Sequence, residues 1–340
     1  MLEPATTPAE GFVPLRVKQV VRETSDAVSL VFDRPPGGAA EFRYLPGQFL
    51  TLLVQVDGQE HRRCYSMSSS PALDENLQIT VKRDRDGVVS NWLNNTAAPG
   101  DELHAAPPQG RFVMREQERD LVAFAGGSGI TPVYSLLRSA LETTGRGARL
   151  FYANRSRDSI IFEKSLAALR EGHPDRFTLC HHLDDEKGLV TAEQVETFIA
   201  EVADADFYVC GPGPFMDTVE KALHSAGVSA DRLHLERFTV APAPVETATV
   251  TEEVTIELDR RSVTLAYRPG HTLLQTARMG GLRAPSSCET GSCGTCIAQI
   301  TEGSARMLNN DALDADEVAD GLVVTCQALP TSRTVKVVYE

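Results

Sequence analysis

A chain of 340 residues with 47 acidic against 33 basic side chains, a net charge of −14, exceeds the usual size of a single core, so two or three domains are expected. The same charge excludes nucleic acid and anionic membrane surfaces as partners, which would repel it, and leaves room for a protein with a basic face. A composition 42% hydrophobic and 24% charged is that of an ordinary globular protein, and MLEPATTPAEGFVPL has neither the basic start nor the apolar core of a signal, so residence in the cytoplasm is expected.

Behind a tail at residues 1–14, the segment 15–116 reads as strands. FLTLLVQV is a mostly apolar run, and LQITVKR alternates Leu77, Ile79 and Val81 with polar neighbours. Pro and Gly punctuate these runs, which favours an antiparallel barrel. In HRRCYSMSSSP the pattern R-x-Y-S-x-x-S places Arg63, Tyr65, Ser66 and Ser69 at a strand end. An arginine fork suits a pyrophosphate, a tyrosine can lie against a flat ring, and a serine hydroxyl can reach a ring nitrogen. GVVSNWLNN follows, with Gly87 ahead of Ser90, which is expected to cap a helix whose free N–H groups attract phosphate. Taken alone, such a cap is weak support for a site.

From 117 to 238 the rhythm changes. DLVAFA, ARLFYAN, FTLCHHL and DFYVCG read as strands, and PVYSLLRSALETTG and FMDTVEKALHSAG as helices, which predicts a parallel doubly wound sheet. The first strand runs into GGSGITP. Gly126, Gly127 and Gly129 permit a tight turn and the close approach of a phosphate, Ser128 lies between them, Thr131 is expected to cap the helix, and Pro132 suits its first turn. The spacing is G-x-G-x-x-P rather than the dinucleotide fingerprint G-x-G-x-x-G. YVCGPGPFMDT sets Cys210, Gly211 and Gly213 at the carboxyl end of a later strand, the rim where open α/β sheets bind ligands. His181 and His182 point to opposite faces of their strand and share no metal, while Cys64 and Cys180 are expected to be packing residues.

TVAPAPVETATVTEE contains a linker at 239–251, after which residues 252–340 open with a predicted hairpin in VTIELDRRSVTLAYR and a short helix in HTLLQTARMGG. Then comes SSCETGSCGTCIAQ. Cys288, Cys293 and Cys296, with Cys326 far downstream, give C-x4-C-x2-C and a distant fourth cysteine, the spacing of plant-type [2Fe–2S] proteins. A four-thiolate zinc site would ordinarily show two C-x2-C knuckles, and only one is present. Seven cysteines in a cytosolic chain argue against disulfides. The acidic run NNDALDADEVADG at 309–321 reads as a solvated face that could also meet a basic partner.

These motifs, in this order, resemble those of the ferredoxin–NADP⁺ reductase superfamily with a fused C-terminal plant-type ferredoxin domain, over nearly the whole chain past the first fourteen residues. The arrangement is similar to that of bacterial oxygenase reductases, particularly those of the 3-ketosteroid 9α-hydroxylase kind, with the phenylacetyl-CoA oxygenase reductase as another relative. The resemblance implies a multidomain fold: an antiparallel β-barrel FAD domain, an α/β parallel-sheet nucleotide domain and an α+β β-grasp ferredoxin domain. It implies that Arg63, Tyr65, Ser66 and Ser69 hold FAD, with Gly87 and Ser90 at its pyrophosphate. Gly127, Ser128, Gly129 and Thr131 would line the pyridine nucleotide, Cys210 and Gly211 the nicotinamide, and Glu236 and Phe238 the isoalloxazine. Ser66, Cys210 and Glu236 are the implied catalytic set, and Cys288, Cys293, Cys296 and Cys326 the implied ligands of a [2Fe–2S] cluster.

The implied activity is an NAD(P)H:acceptor oxidoreductase that takes a hydride onto FAD and sends electrons singly through the cluster to a terminal oxygenase, of Rieske type. A di-iron monooxygenase as acceptor, or service as a non-autonomous subunit of a larger complex, are the alternatives. NADH is the expected donor. NADPH stays open because Arg155 and Arg157 follow the second strand of the nucleotide segment and no acidic residue ends that strand. The chain is expected to be monomeric between encounters.

Overall fold

The computed structural model describes residues 11–33, 40–74, 76–116, 118–202, 204–238 and 250–339. Residues 1–10 of the expected tail and 239–249 of the expected linker therefore lie outside the described residues. The chain divides into two compact units, Met1–Phe238 and Thr239–Glu340.

The first unit opens with β1 (Val13–Thr24), β2 (Ala27–Phe32), β3 (Phe49–Val56), β4 (Gln59–Ser66), β5 (Gln78–Lys82), helix α1 (Val88–Thr96) and β6 (Glu102–Ala105). The strands form one antiparallel sheet in the order β4-β3-β6-β1-β2-β5, and a bridge between Met67 and Ile79 joins its two edges into a barrel. Closure removes the exposed strand edges that would otherwise seek pairing. FLTLLVQV is apolar on nearly every position because seven of its eight residues are buried, on one face against the barrel core of Leu15, Leu30, Leu50, Leu52, Ile79 and Val81.

The same unit continues with β7 (Asp120–Gly126), α2 (Ile130–Thr143), β8 (Ala148–Asn154), α3 (Glu163–Gly172), β9 (Phe177–Leu183), α4 (Asp184–Lys187), α5 (Ala192–Ile199), β10 (Ala205–Cys210), α6 (Gly213–Ser225) and β11 (Leu233–Glu236). Its sheet is wholly parallel, ordered β11-β10-β7-β8-β9, with β7 in the centre. Apolar clusters cover both faces: Ile130, Val133 and Leu137 of α2 on one, Val195, Phe198, Val219 and Leu223 of α5 and α6 on the other. Each such fully buried side chain contributes about 1.5–3 kcal/mol. That two-sided covering is why the strands read as continuous apolar runs. Helix α2 is buried almost all round. Its outer side meets the barrel through hydroxyls and an ion pair: Ser135 Oγ donates to the Ser69 carbonyl at 2.6 Å, Ser139 and Ser70 share a 2.8 Å hydrogen bond, and Arg138 grips Asp74 at 2.7 and 3.2 Å.

The second unit contains β12 (Glu253–Leu258), β13 (Arg261–Ala266), α7 (Leu273–Met279), β14 (Ile297–Glu302), β15 (Ala305–Met307), α8 (Ala315–Ala319), β16 (Leu322–Val324), β17 (Ala328–Pro330) and β18 (Thr334–Val338). Five strands form a mixed sheet in the order β13-β12-β18-β14-β16, and β15 pairs with β17. The β12–β13 turn holds Asp259 and Arg260 at φ 51° and 66°, the left-handed pair that a tight hairpin requires. Thr272 caps α7 in a reciprocal box with Gln275. Among the described residues no helix is long and apolar enough to cross a membrane.

Candidate functional site

The barrel contributes the end of β4. Arg63 is exposed on its rim, Tyr65 is half-buried against the barrel core, and Ser66 is buried at the strand's last position. Burial pushes the Tyr65 phenol above its usual range, which keeps it a neutral, flat surface. The Ser69 hydroxyl is shared between the Tyr44 hydroxyl at 2.6 Å and the Gln78 N–H at 3.0 Å, so Ser69 holds the segment after β4 in place. Helix α1 begins at Val88 with Gly87 at its N-cap. Ser90 is not the cap that its sequence position suggests: it lies in the first turn, where its Oγ accepts the Asp84 N–H at 3.1 Å. The hydroxyl is consumed in binding the chain that enters the helix.

The nucleotide sheet contributes the carboxyl ends of β7 and β10. Gly127, Ser128 and Gly129 form a single 3-10 turn between β7 and α2. Thr131 is not a cap either, since α2 starts one residue before it; its Oγ1 donates to the Ser128 carbonyl at 3.0 Å and ties the turn to the helix. A methyl group on Gly129 would overlap the carbonyl of Cys210, so the turns after β7 and β10 meet backbone to backbone. Register does the rest. Cys210 pairs with Ala125 on one side and with Glu236 on the other, which sets the buried thiol beside the buried carboxylate. Ser66 Oγ donates to Glu236 Oε2 at 3.3 Å. Three residues from distant segments, Ser66, Cys210 and Glu236, thus line the joint between barrel and parallel sheet. Phe238 follows two residues later and is 45% exposed.

Lys82 belongs to no motif yet stands beside the glycine-rich turn: its Nζ is 3.5 Å from where a Cβ on Gly127 would stand. Desolvation lowers its pKa, opposed by Asp26 at 3.9 Å. The signal that could have found it is its place at the end of β5, facing the turn. The exposed Arg63 fork, the start of α1 and the half-buried Lys82 are donors of the kind an anionic cofactor takes, and Tyr65 offers a flat surface of the kind a ring takes.

In the second unit the loop from α7 to β14 carries Cys288, Cys293 and Cys296, and Cys326 sits between β16 and β17. The thiols stand in two pairs. Cys293 is pushed above its normal pKa, first by its hydrogen bond with Cys288 and then by burial; Cys326 is pushed up by its bond with Cys296, whose own value falls. Among the described residues no three His, Cys, Asp or Glu side chains are grouped for a single metal ion. Backbone N–H groups of Thr290 and Thr295 point at Cys288 and Cys293 sulfurs at 3.4 Å each. Gly291 (φ 88°) packs so closely that a Cβ would stand 2.7 Å from the Asn309 carbonyl oxygen. Glu289 takes a left-handed φ of 58° without being glycine, and it is held there by Gln327 Nε2 on its carbonyl at 2.8 Å and by Arg278 on both carboxylate oxygens. Three thiols of a wrapped, N–H-lined loop and a fourth from the turn between β16 and β17, all buried or half-buried, fit a cluster of two irons.

Comparisons with known proteins match three families along the chain. The chain matches the oxidoreductase FAD-binding domain over residues 14–114, the oxidoreductase NAD-binding domain over 124–221 and the 2Fe-2S iron–sulfur cluster binding domain over 256–331. It is 40% identical to the ferredoxin reductase component of 3-ketosteroid-9-alpha-monooxygenase from Rhodococcus rhodochrous, over 96% of this chain and 97% of that one. A component of the 1,2-phenylacetyl-CoA epoxidase of Escherichia coli K12 is 32% identical, over 97% of this chain and 98% of that one. Among solved structures, phthalate dioxygenase reductase superposes with a TM-score of 0.66 at 25% identity, over 97% of this chain and 98% of that one.

Proposed function

The chain belongs to the oxygenase reductases of the ferredoxin–NADP⁺ reductase superfamily that carry FAD-binding, NAD-binding and [2Fe–2S] domains in one polypeptide, and from that premise we propose how its residues divide the work. Residues 15–116, 117–238 and 252–340 act as the flavin, nucleotide and cluster domains. Arg63 and the start of α1 hold the FAD pyrophosphate and Tyr65 lies against the ring. The β7–α2 turn seats the dinucleotide phosphates, and Cys210 with Gly211 walls the nicotinamide. When bound, FAD would supply hydride acceptance and the [2Fe–2S] cluster one-electron transfer. Ser66 and Glu236 keep a buried hydrogen bond in which a proton can be held on Oγ or Oε2, and they would exclude water from a flavin bound beside them. Cys288, Cys293, Cys296 and Cys326 would together hold the [2Fe–2S] cluster.

The observation that carries this reading is the register that places Cys210 beside Glu236 and Glu236 within reach of Ser66, joining the two ligand rims. It is tested by anaerobic titration of the purified protein with NADH and then NADPH, followed by absorbance and low-temperature EPR. Bleached flavin bands together with a reduced [2Fe–2S] signal support it; flavin that neither nucleotide bleaches overturns it and favours a non-autonomous subunit. Ser66→Ala should slow flavin reduction by NADH about 100-fold in stopped flow while FAD content holds, and Glu236→Gln should slow it less. Equal rates in wild type and S66A would remove Ser66 from the chemistry.

The acceptor is a terminal oxygenase of Rieske type, acting on a steroid ketone as the 40% identical relative's name suggests; a di-iron monooxygenase is the second reading, favoured by the likeness to the epoxidase component. Helix α8 offers Asp316 and Glu317 behind the Asp314 cap as an acidic docking face. Changing Asp314→Asn, Asp316→Asn and Glu317→Gln preserves the capping groups. It should slow delivery to the oxygenase about tenfold at low salt and leave ferricyanide reduction intact. Delivery unaffected at low salt would rule that face out.

A further inference from the structure

Three charged residues that no motif connects meet at the mouth of the glycine-rich turn. Asp26 lies in the turn between β1 and β2, where its Oδ1 accepts from the Thr24 hydroxyl at 2.7 Å and its carbonyl accepts the Arg83 N–H at 2.7 Å. Its Oδ2 stands 3.1 Å from Arg155 Nη2 and 3.9 Å from Lys82 Nζ. Arg155 is the first residue after β8, the position from which a cation in an open α/β sheet receives the 2′-phosphate of NADP. Arg157, the other cation of that stretch, is paired with Glu163 at 3.1 Å. Both guanidinium groups are therefore already answered by carboxylates. The acid missing from the end of β8 comes from its neighbour: the Asp185 N–H donates to the Arg155 carbonyl at 3.0 Å, which brings the acidic turn of Asp184, Asp185 and Glu186 to the same rim.

We propose that Asp26 sets coenzyme choice: by holding Arg155 in an ion pair across the joint between barrel and nucleotide sheet, it withholds the cation that a 2′-phosphate needs and selects NADH over NADPH. The inference rests on the reading of the β7–α2 turn as the dinucleotide seat. A phosphate monoester brings close to two negative charges at neutral pH. To reach Arg155 it must displace a carboxylate that Thr24 and Lys82 also hold, or stand beside it as a second anion. A 2′-hydroxyl meets no such opposition. Because the Arg155 side chain is 74% exposed, water screens the pair, and the effect is about tenfold rather than absolute.

The test compares kcat/KM for NADH and NADPH, with ferricyanide as acceptor, in the wild type, in Asp26→Asn and in the double variant Asp26→Asn with Arg155→Gln; inhibition by 2′,5′-ADP probes the adenosine end alone. D26N should lower the NADH:NADPH ratio about tenfold through the KM for NADPH and tighten 2′,5′-ADP, and adding R155Q should restore both. A ratio unchanged in D26N, a loss shared equally by both nucleotides, or a shift that survives R155Q overturns the proposal. Should the asparagine variant not fold, Asp26→Ser repeats the comparison. A wild-type flavin reduced by neither nucleotide would instead overturn the reading of the seat itself, so the two failures are told apart.

Discussion

Cys326→Ser should give a protein that binds FAD and bleaches with NADH yet carries at least about tenfold less iron, with no reduced [2Fe–2S] signal. The position is buried and its thiol hydrogen-bonds with Cys296, so in the proposed ligand set the serine oxygen would replace the one soft donor supplied from outside the 288–296 loop. Support beneath it is fixed: the Thr325 N–H and hydroxyl both donate to the Cys296 carbonyl, at 3.1 and 2.9 Å, and the Tyr339 hydroxyl donates to Thr325 at 2.8 Å. A serine there cannot move to find better geometry. Iron analysis, EPR and stopped-flow flavin reduction on one preparation check the outcome. Full iron with a normal signal would exclude Cys326 as a ligand, and loss of flavin reduction as well would mean that the substitution had reached beyond its own unit.

Gly129→Ala should reduce kcat/KM for the nicotinamide nucleotide by about 100-fold or more while dithionite still reduces the flavin. The added methyl meets the Cys210 carbonyl, a backbone atom that no rotamer change can clear, so the turn after β7 must part from the turn after β10. A separation of about 1 Å at a phosphate seat is enough for a loss of this size. Stability should fall as well, by about 1–3 kcal/mol, the usual result of forcing atoms into a packed contact. Stopped-flow reduction at several NADH concentrations separates binding from chemistry. Wild-type kinetics in G129A would mean that the nucleotide sits elsewhere.

How much of this was legible beforehand depended on the range of the signal. The strands β3, β7, β8, β9 and β10 announce themselves because burial writes an apolar run or alternation into consecutive residues, and the glycine and cysteine motifs concentrate chemistry into short stretches. Three-residue strands such as β15, β16 and β17 have too few positions to show a period. Ser90 and Thr131 mislead for a different reason. A hydroxyl near a helix start can cap it or fold back on the preceding loop, and only the φ angles of the residues before it decide which. Asp26, Lys82 and Arg155 are invisible as a group, since barrel closure and sheet order bring them together from three segments. Glu236 had only its position to recommend it, and its meaning comes from its register with Cys210.

The second unit has one topological property with a bearing on its biogenesis. Its first strand, β12, pairs in parallel with β18, which lies downstream of every other strand of the sheet and yet occupies its middle. During synthesis, the β12–β13 hairpin and the strand β14 both emerge before the element that joins them, and such long-range pairings are slow to close. All four thiols precede β18. The sheet of this unit is therefore completed only once residue 338 has been translated. If the complete sheet is needed to hold iron, chains stalled before residue 334 should carry none and full-length chains should carry it, and iron in the stalled chains would exclude that dependence.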